Sequence, residues 1–155
     1  MKTLMKKIIL LILLSHSAML FAKDDAIIRD GINTWSVIVD KNEGVDVLKI
    51  KEQRGHEISY ETDSIAHNFV SVTPLTFTKN GKLYLVTLWN KGAHGETIRV
   101  MNPEAKTQKD LVVFEYNSAW PLKYELKEGK LVVTGKGDLG PDGITPLDEI
   151  RTFSP

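Results

Sequence analysis

An internal repeat constrains the fold of this chain more than any other feature of its sequence. A Gly-Lys-Leu segment that opens an apolar run at Gly81 recurs 48 residues later at Gly129. The glycine-containing loops 92–95 and 140–143 are separated by the same interval, and a fainter first copy begins at Gly44. Each copy has the pattern strand, glycine turn, strand, glycine loop, strand. We place the copies near residues 35–63, 75–103 and 122–155, a period of about 50 residues that is typical of propeller blades.

Between these glycines, apolar and β-branched residues alternate in short runs, which predicts strands and no long helix. Asn80-Gly81 predicts a tight hairpin because both positions of such a turn require positive φ, and Glu128-Gly129 is a looser version. The polar segment 103–110 is expected to be a surface turn and the glycine-rich segment 135–140 a flexible loop. The predicted strands are 35–40, 45–51, 57–61, 69–73, 75–78, 83–89, 97–101, 111–116, 122–126, 130–134 and 149–153.

These elements predict a single all-β domain over residues 23–155. Three copies are too few to close an ordinary propeller, which has about four to eight blades. We therefore expect an open, propeller-like antiparallel β-meander of about three small repeated sheets. A single antiparallel barrel or a sandwich is the alternative fold.

The N-terminus has the order of a secretory signal peptide. Lys2, Lys6 and Lys7 precede an unbroken apolar run over residues 8–14, and small residues follow as far as Ala22. A membrane span needs roughly 20 apolar residues, more than this run provides. We expect residues 1–22 to be a cleaved signal peptide, so that the mature protein begins near Lys23, is periplasmic and does not insert into a membrane.

The composition of the remaining chain excludes several functions. Residues 23–155 contain 17 basic and 20 acidic side chains, so there is no basic footprint for nucleic acid. The chain has no cysteine, which excludes thiol catalysis, CxxC redox chemistry and cysteine zinc sites. The histidines beyond the leader, His56, His67 and His94, lack the spacing of a local metal site, although a site assembled from distant loops stays open.

No catalytic motif is present: there is no nucleophile elbow, P-loop or dinucleotide fingerprint followed by a helix. A carboxylate pair for glycoside hydrolysis stays open, because separation in space defines such a pair. We expect no catalytic residue, no metal and no cofactor, and we interpret the protein as a binding module instead of an enzyme.

The candidate binding feature is segment 90–96, which joins two strong strands and is longer than a tight hairpin requires. Its small residues could enter a concave site on a partner, whereas the parallel loop 140–143 favours an ordinary solvated turn. Trp35 is expected in the core, and core burial is also the first interpretation of Trp89 and Trp120, although Trp89 borders the candidate loop and is kept as a binding candidate. The candidate partner-binding residues are Trp89, Lys91, Gly92, Ala93, His94, Gly95 and Glu96.

The order of elements over residues 75–135 resembles a known family. A strand, Asn80-Gly81, a strand, a glycine-rich loop and a strand are followed by a polar turn at 102–109, a strand, Trp120, and a turn at 127–130 before a final strand. This order is similar to that of the periplasmic immunity proteins that neutralise peptidoglycan-amidase toxins of type VI secretion systems. The resemblance implies a propeller-like β-protein that inserts a loop into the toxin's active-site groove. Family members carry a serine in that loop, where this chain has Ala93 and His94.

Export, the lack of catalytic motifs and this loop lead to one main hypothesis: a periplasmic inhibitor or immunity-type protein that blocks a partner enzyme by loop insertion. The partner would be a protein, either a secreted toxin or a cell-wall enzyme. The alternative is a peptidoglycan- or glycan-binding envelope protein that uses Trp89 or Trp120 as a stacking platform. A cell-wall hydrolase is the third hypothesis.

Overall fold

A computed structural model describes residues 26–30, 33–62, 67–76 and 81–155, which form eleven β-strands and one short helix. The predicted signal peptide at residues 1–22 lies outside the described residues. The strands are β1 Ala26–Asp30, β2 Asn33–Asn42, β3 Val45–Glu52, β4 Glu57–Glu61, β5 His67–Thr76, β6 Leu83–Lys91, β7 Gly95–Met101, β8 Val112–Ser118, β9 Lys123–Lys127, β10 Lys130–Leu139 and β11 Pro146–Phe153, and the helix is α1 Gln108–Leu111.

The strands form three antiparallel sheets, each of which follows the order of the chain. Sheet 1 contains β1 to β4, sheet 2 contains β5 to β8, and sheet 3 contains β9 to β11. This confirms the predicted all-β, propeller-like meander of three small sheets. A single barrel is wrong, because the hydrogen bonds divide the described strands into three separate sheets. The sheets also extend past the predicted repeats, since β1 and β8 fall outside them.

Sheet 2 is the middle layer and is buried on both faces. Leu83, Leu85 and Trp89 of β6 belong to the core shared with sheet 1, whereas Tyr84 and Val86 belong to the core shared with sheet 3. Alternate residues of a strand point to opposite faces, so one apolar strand contributes to both cores. Fully burying such a side chain contributes about 1.5–3 kcal/mol, so these two cores are the main source of stability.

The hairpin turns within the sheets follow the expected chemistry. Lys127 pairs with Lys130, leaving Glu128 and Gly129 as a two-residue turn with φ angles of 52° and 71°. The β2–β3 turn likewise has two positive φ angles, 50° and 87°. Such turns match the right-handed twist of the strands they join. The predicted hairpin at residues 80–81 falls partly outside the described residues, which include Gly81 but not Asn80.

Two segments differ from the predicted strands because of their place in the sheets. The predicted strand 69–73 and the described part of the predicted strand 75–78, which ends at Thr76, form one strand, β5, which passes through Pro74. Proline lacks the backbone N–H of a sheet ladder, but β5 is an edge strand, where that loss is tolerated. Strand β1 was not predicted, although its Ala26 and Ile28 are buried in the core between sheets 1 and 2.

The predicted surface turn at 103–110 includes the start of helix α1. Leu111 is fully buried, and its carbonyl accepts a hydrogen bond from the Asn102 backbone N–H at 2.8 Å. Ala105 is also buried, so this polar segment is anchored in the core at two positions. None of the described residues forms a helix that is long and apolar enough to cross a membrane.

The predicted flexible loop at 135–140 is wrong, because β10 continues to Leu139. Gly135 allows this, since a Cβ there would lie 2.7 Å from the ring of Tyr116. The Tyr116 hydroxyl donates a hydrogen bond to Glu149 Oε2 at 2.9 Å. Burial, together with this carboxylate, raises the pKa of Tyr116 to about 12. The glycine is therefore a packing feature between sheets 2 and 3.

Candidate functional site

The predicted binding loop is a short, exposed turn. Lys91 and Gly95 form the last pair between β6 and β7, which leaves three residues, 92–94, to reverse the chain. Gly92 has a φ of 65°, a conformation that glycine adopts without steric cost. Lys91, Gly92, Ala93 and His94 are all exposed. We call residues 92–94 the His94 turn. Segment 90–96 is thus shorter as a loop than predicted, because most of it belongs to the strands.

Trp89 is not part of this surface, and its prediction as a partner-binding residue is wrong. Its side chain is fully buried, with ring centroids 5.3 Å from Phe69 and 5.7 Å from Tyr60. The Arg99 guanidinium lies over the indole at 5.5 Å, and the indole N–H donates to Thr87 Oγ1 at 2.9 Å. A tryptophan with its polar group satisfied in the core cannot contact a partner, so Trp89 supports the end of β6 from beneath.

Gly95 and Glu96 hold the His94 turn against the rest of the protein. A Cβ at Gly95 would lie 2.9 Å from the carbonyl oxygens of both Lys91 and Ser118, so only glycine fits there without a backbone shift. Glu96 Oε2 accepts a hydrogen bond from the Leu122 backbone N–H at 2.6 Å. Both residues are half-buried. Their roles in the described structure are to position the turn and the segment that follows β8.

Ser118 completes this support by joining three segments. Its hydroxyl oxygen accepts hydrogen bonds from the backbone N–H groups of Trp120, at 3.2 Å, and Lys136, at 3.0 Å. The same hydroxyl lies 3.2 Å from the Lys136 carbonyl, to which it can donate. Ser118 is itself buried. Because β8, β10 and the backbone of Trp120 share this one group, the position of Trp120 is coupled to the packing of sheets 2 and 3.

The His94 turn contributes to two shallow depressions in the surface. The first has a volume of about 380 Å³, and the exposed Trp120 lines it together with His94. The second has a volume of about 430 Å³. Ala93, His94 and Gly95 line both of them. The remaining lining residues are Asn90, Gly92, Glu96 and Pro121 in the first, and Lys91, Asn117, Ser118 and Ala119 in the second.

The exposed groups of this surface are suited to recognition. Trp120 is 46% exposed and presents an apolar ring with a polar N–H, while His94 and Lys91 provide an imidazole and a cation. The other two histidines lie elsewhere in the fold: His56 packs edge-on against Trp35, and His67 begins β5. Within the described part of the chain, no three His, Asp or Glu side chains are close enough to hold a metal ion.

The structure thus brings together six of the seven predicted binding residues, namely all except Trp89. It adds Trp120 and Pro121, which are distant from the turn in sequence. Trp120 precedes a proline and follows a strand, but neither signal indicates that it faces residue 94. That proximity results from the hydrogen bonds of Glu96 and Ser118, which the strand pattern does not reveal.

In comparisons with protein-family models, with curated proteins and with solved structures, the chain matches none of them.

Proposed function

We propose that this protein is an exported, periplasmic binding module of the inhibitor or immunity type, which blocks a partner enzyme with the His94 turn. The observation that carries the proposal is a small, exposed turn held in place by buried contacts. The signal-peptide pattern at residues 1–22 supports export. The partner class, a secreted toxin or a cell-wall enzyme, follows from the resemblance of residues 75–135 to immunity proteins.

The dimensions of the turn suit insertion into a cleft. Gly92 and Ala93 have little or no side chain, so His94 is the one large group of the turn and would enter deepest. The contacts of Gly95 and Glu96 hold the turn before any partner arrives. A pre-organised loop loses less conformational entropy on binding, which favours affinity without a larger interface.

Trp120 would supply the rim of the interface. It stands beside His94 on the wall of the first depression and is about half exposed. Tryptophan is enriched among residues that dominate binding energy, because its large ring loses little rotamer entropy when it is covered. In this arrangement His94 gives the inserted contact and Trp120 an apolar contact beside it.

The test is inhibition of a defined partner by variants of the purified protein. The protein would be used to capture peptidoglycan-acting enzymes from periplasmic extract, and the captured enzyme's hydrolysis of peptidoglycan would then be measured. We expect His94→Ala, and replacement of residues 92–94 by Asn-Gly, to weaken inhibition at least about tenfold, equivalent to about 1.4 kcal/mol. Ile144→Ala, in a different exposed loop, is the matched control and should inhibit normally. Unchanged inhibition by both turn variants would disprove the proposal.

The exposed Trp120 favours glycan binding as a second candidate function. The first depression could hold a sugar ring against the indole, with Asn90 and Glu96 nearby as polar groups. Trp35 and Trp89 are buried, so Trp120 should dominate any change in tryptophan fluorescence on ligand binding. A saturable shift with soluble peptidoglycan fragments, lost in Trp120→Phe, would support this candidate. The inhibitor proposal instead predicts a shift with the partner enzyme and none with the fragments.

A further inference from the structure

The three sheets have six edge strands, and five of them carry features that oppose pairing with another chain. Strands β1, β4 and β9 are only five residues long, and β9 begins and ends with lysine. Strand β5 contains Pro74, and the Gln108 side chain of α1 bonds to the Ser59 carbonyl of β4. At the end of β8, Ser118 bonds to the backbone of β10. Short edges, lysines, prolines and covering elements are the usual protections against edge-to-edge association.

Strand β11 carries fewer of these protections than the other edges. It has eight residues and no lysine, and its proline is its first residue, Pro146. In the described part of the chain it pairs with β10 alone, so its other edge is open. Its apolar side chains are also unusually exposed: Leu147 is 51% and Ile150 is 63% accessible. A long, apolar, open edge is a template for a further strand.

The sequence of β11 is complementary to itself when one copy is reversed. With Ile150 opposite Ile150 of a second copy, Glu149 lies opposite Arg151 of that copy, and Arg151 lies opposite its Glu149. In the same register Asp148 faces Thr152, and Leu147 faces Phe153. Two-fold symmetry forms both ion pairs at once. Opposite charges directly across an antiparallel pair stabilise it, before the apolar contacts are counted.

Neighbouring registers are disfavoured by the same charges. A shift by one residue would place the inner face of one copy beside the outer face of the other. A shift by two residues would bring either Glu149 opposite Glu149 or Arg151 opposite Arg151. Like charges directly opposite each other are destabilising. The pattern therefore selects one arrangement. Within each chain Arg151 already contacts Glu149, so both side chains lie on the face where the cross-strand pairs would form.

We infer that β11 is a docking edge for a second copy of this chain, pairing antiparallel about a two-fold axis at Ile150. Two copies of sheet 3 then become one six-stranded sheet. The Leu147 side chain of each copy would cover the Phe153 region of the other, which reduces the exposed apolar surface of both. This inference does not depend on the function proposed for the His94 turn.

The experiment uses protein purified from cells that express the full chain. Sedimentation equilibrium first measures the oligomeric state of the parent protein, and variants with one introduced cysteine then test the register of the pairing. The chain contains no cysteine, so every disulfide is attributable to the introduced residue. Opposed residues of antiparallel strands have Cα atoms about 4.5–5.5 Å apart, within the range that a disulfide spans. We expect the parent protein to dimerise and Ile150→Cys to form a covalent dimer under mild oxidation.

Thr152→Cys is the matched control, because Thr152 is exposed on the same face of the same strand. In the inferred register, residue 152 of one copy lies four residues along the strand from residue 152 of the other copy. That is roughly 13 Å at about 3.3 Å per residue, so this variant should not cross-link. Ile150→Lys should weaken dimerisation at least about tenfold. Its unfolding midpoint should match that of the parent at concentrations where both proteins are monomeric, since residue 150 is largely exposed. A monomeric parent protein, or equal cross-linking of Thr152→Cys and Ile150→Cys, would overturn the inference.

Discussion

The His94 turn and the loop at residues 140–145 occupy equivalent places in the repeat but are held in different ways. The second, which we call the Ile144 loop, presents a side chain that is 80% exposed. It is held by itself: Asp142 accepts hydrogen bonds from the backbone N–H groups of Ile144 and Thr145, at 3.0 Å and 2.9 Å, and from the Thr145 hydroxyl at 2.6 Å. The His94 turn is held instead by Ser118 and Leu122, from a different part of the chain.

The comparison teaches that a sequence repeat determines where a hairpin lies but not what supports it. The Asp142 bonds span at most three residues, so the Ile144 loop forms wherever its own strands pair. The support of the His94 turn exists only after β8 has paired with β7 and the segment that leads to sheet 3 has docked through Leu122. Changes near the His94 turn should therefore affect the whole fold, and changes in the Ile144 loop should stay local.

The largest difference is expected when the same substitution is made at the two equivalent glycines, Gly95 and Gly143. Asparagine tolerates the positive φ of 66° at Gly143, where a Cβ meets nothing within 4 Å. At Gly95 the added atom must displace two carbonyl oxygens. We expect Gly95→Asn to lower the free energy of unfolding by about 1–3 kcal/mol and Gly143→Asn by less than about 0.5 kcal/mol, measured by urea denaturation. Equal losses would show that the two glycines have the same role.

The next largest effect should follow from removal of the Glu96 carboxylate. Glu96→Ala leaves the Leu122 N–H without its acceptor, and a hydrogen bond to a charged group contributes about 1.5–3 kcal/mol. Because Glu96 is only half-buried, we expect a loss at the low end of that range for Glu96→Ala and a smaller one for Glu96→Gln, which retains an acceptor oxygen. Trp120 fluorescence should shift in the alanine variant, because Leu122 follows it closely. If the fluorescence and stability of the alanine variant match those of the parent protein, Glu96 does not hold the segment around Leu122 in place.

The smallest effect is a pH dependence confined to the Ile144 loop. Hydrogen bonds from Thr145 and Ile144 lower the pKa of Asp142 from 3.8 to about 2. A lowered pKa means that the carboxylate stabilises the folded loop above about pH 4, and that this contribution is lost as the pH falls through 2. Amide hydrogen exchange at Ile144 and Thr145 should accelerate over that interval. Asp142→Asn should reduce this dependence, while exchange in the His94 turn serves as the internal control.

Much of the fold was predictable because it depends on local pattern. Apart from β1, the described strands of all three sheets follow from alternation and turn chemistry, as do the Glu128-Gly129 turn and the burial of Trp35. The missed features depend on context instead. Pro74 is tolerated only because β5 is an edge strand, and Gly135 continues a strand only because the Tyr116 ring fills the space beside it.

The candidate site divides in the same way. The His94 turn was predictable as a turn from its glycines and from its position between two strands, whereas its exposure was not. Trp89 was kept as a binding candidate, although burial was its first interpretation, because nothing in its immediate sequence shows that the aromatic rings of sheets 1 and 2 enclose it. Trp120 was first interpreted as a core residue, since its exposure depends on Ser118 and Glu96 holding its backbone from distant strands.

By itself, the sequence determined that this chain is a three-part β-meander with a hairpin turn at His94, because alternation and glycine placement act over a few residues. Tertiary packing instead sets which side chains reach the surface around that turn and which edge strand has no partner among the described strands. Those outcomes depend on packing between strands that are far apart in the chain. Such packing leaves no periodic signal in the sequence, since it is set by which faces the sheets bury against one another.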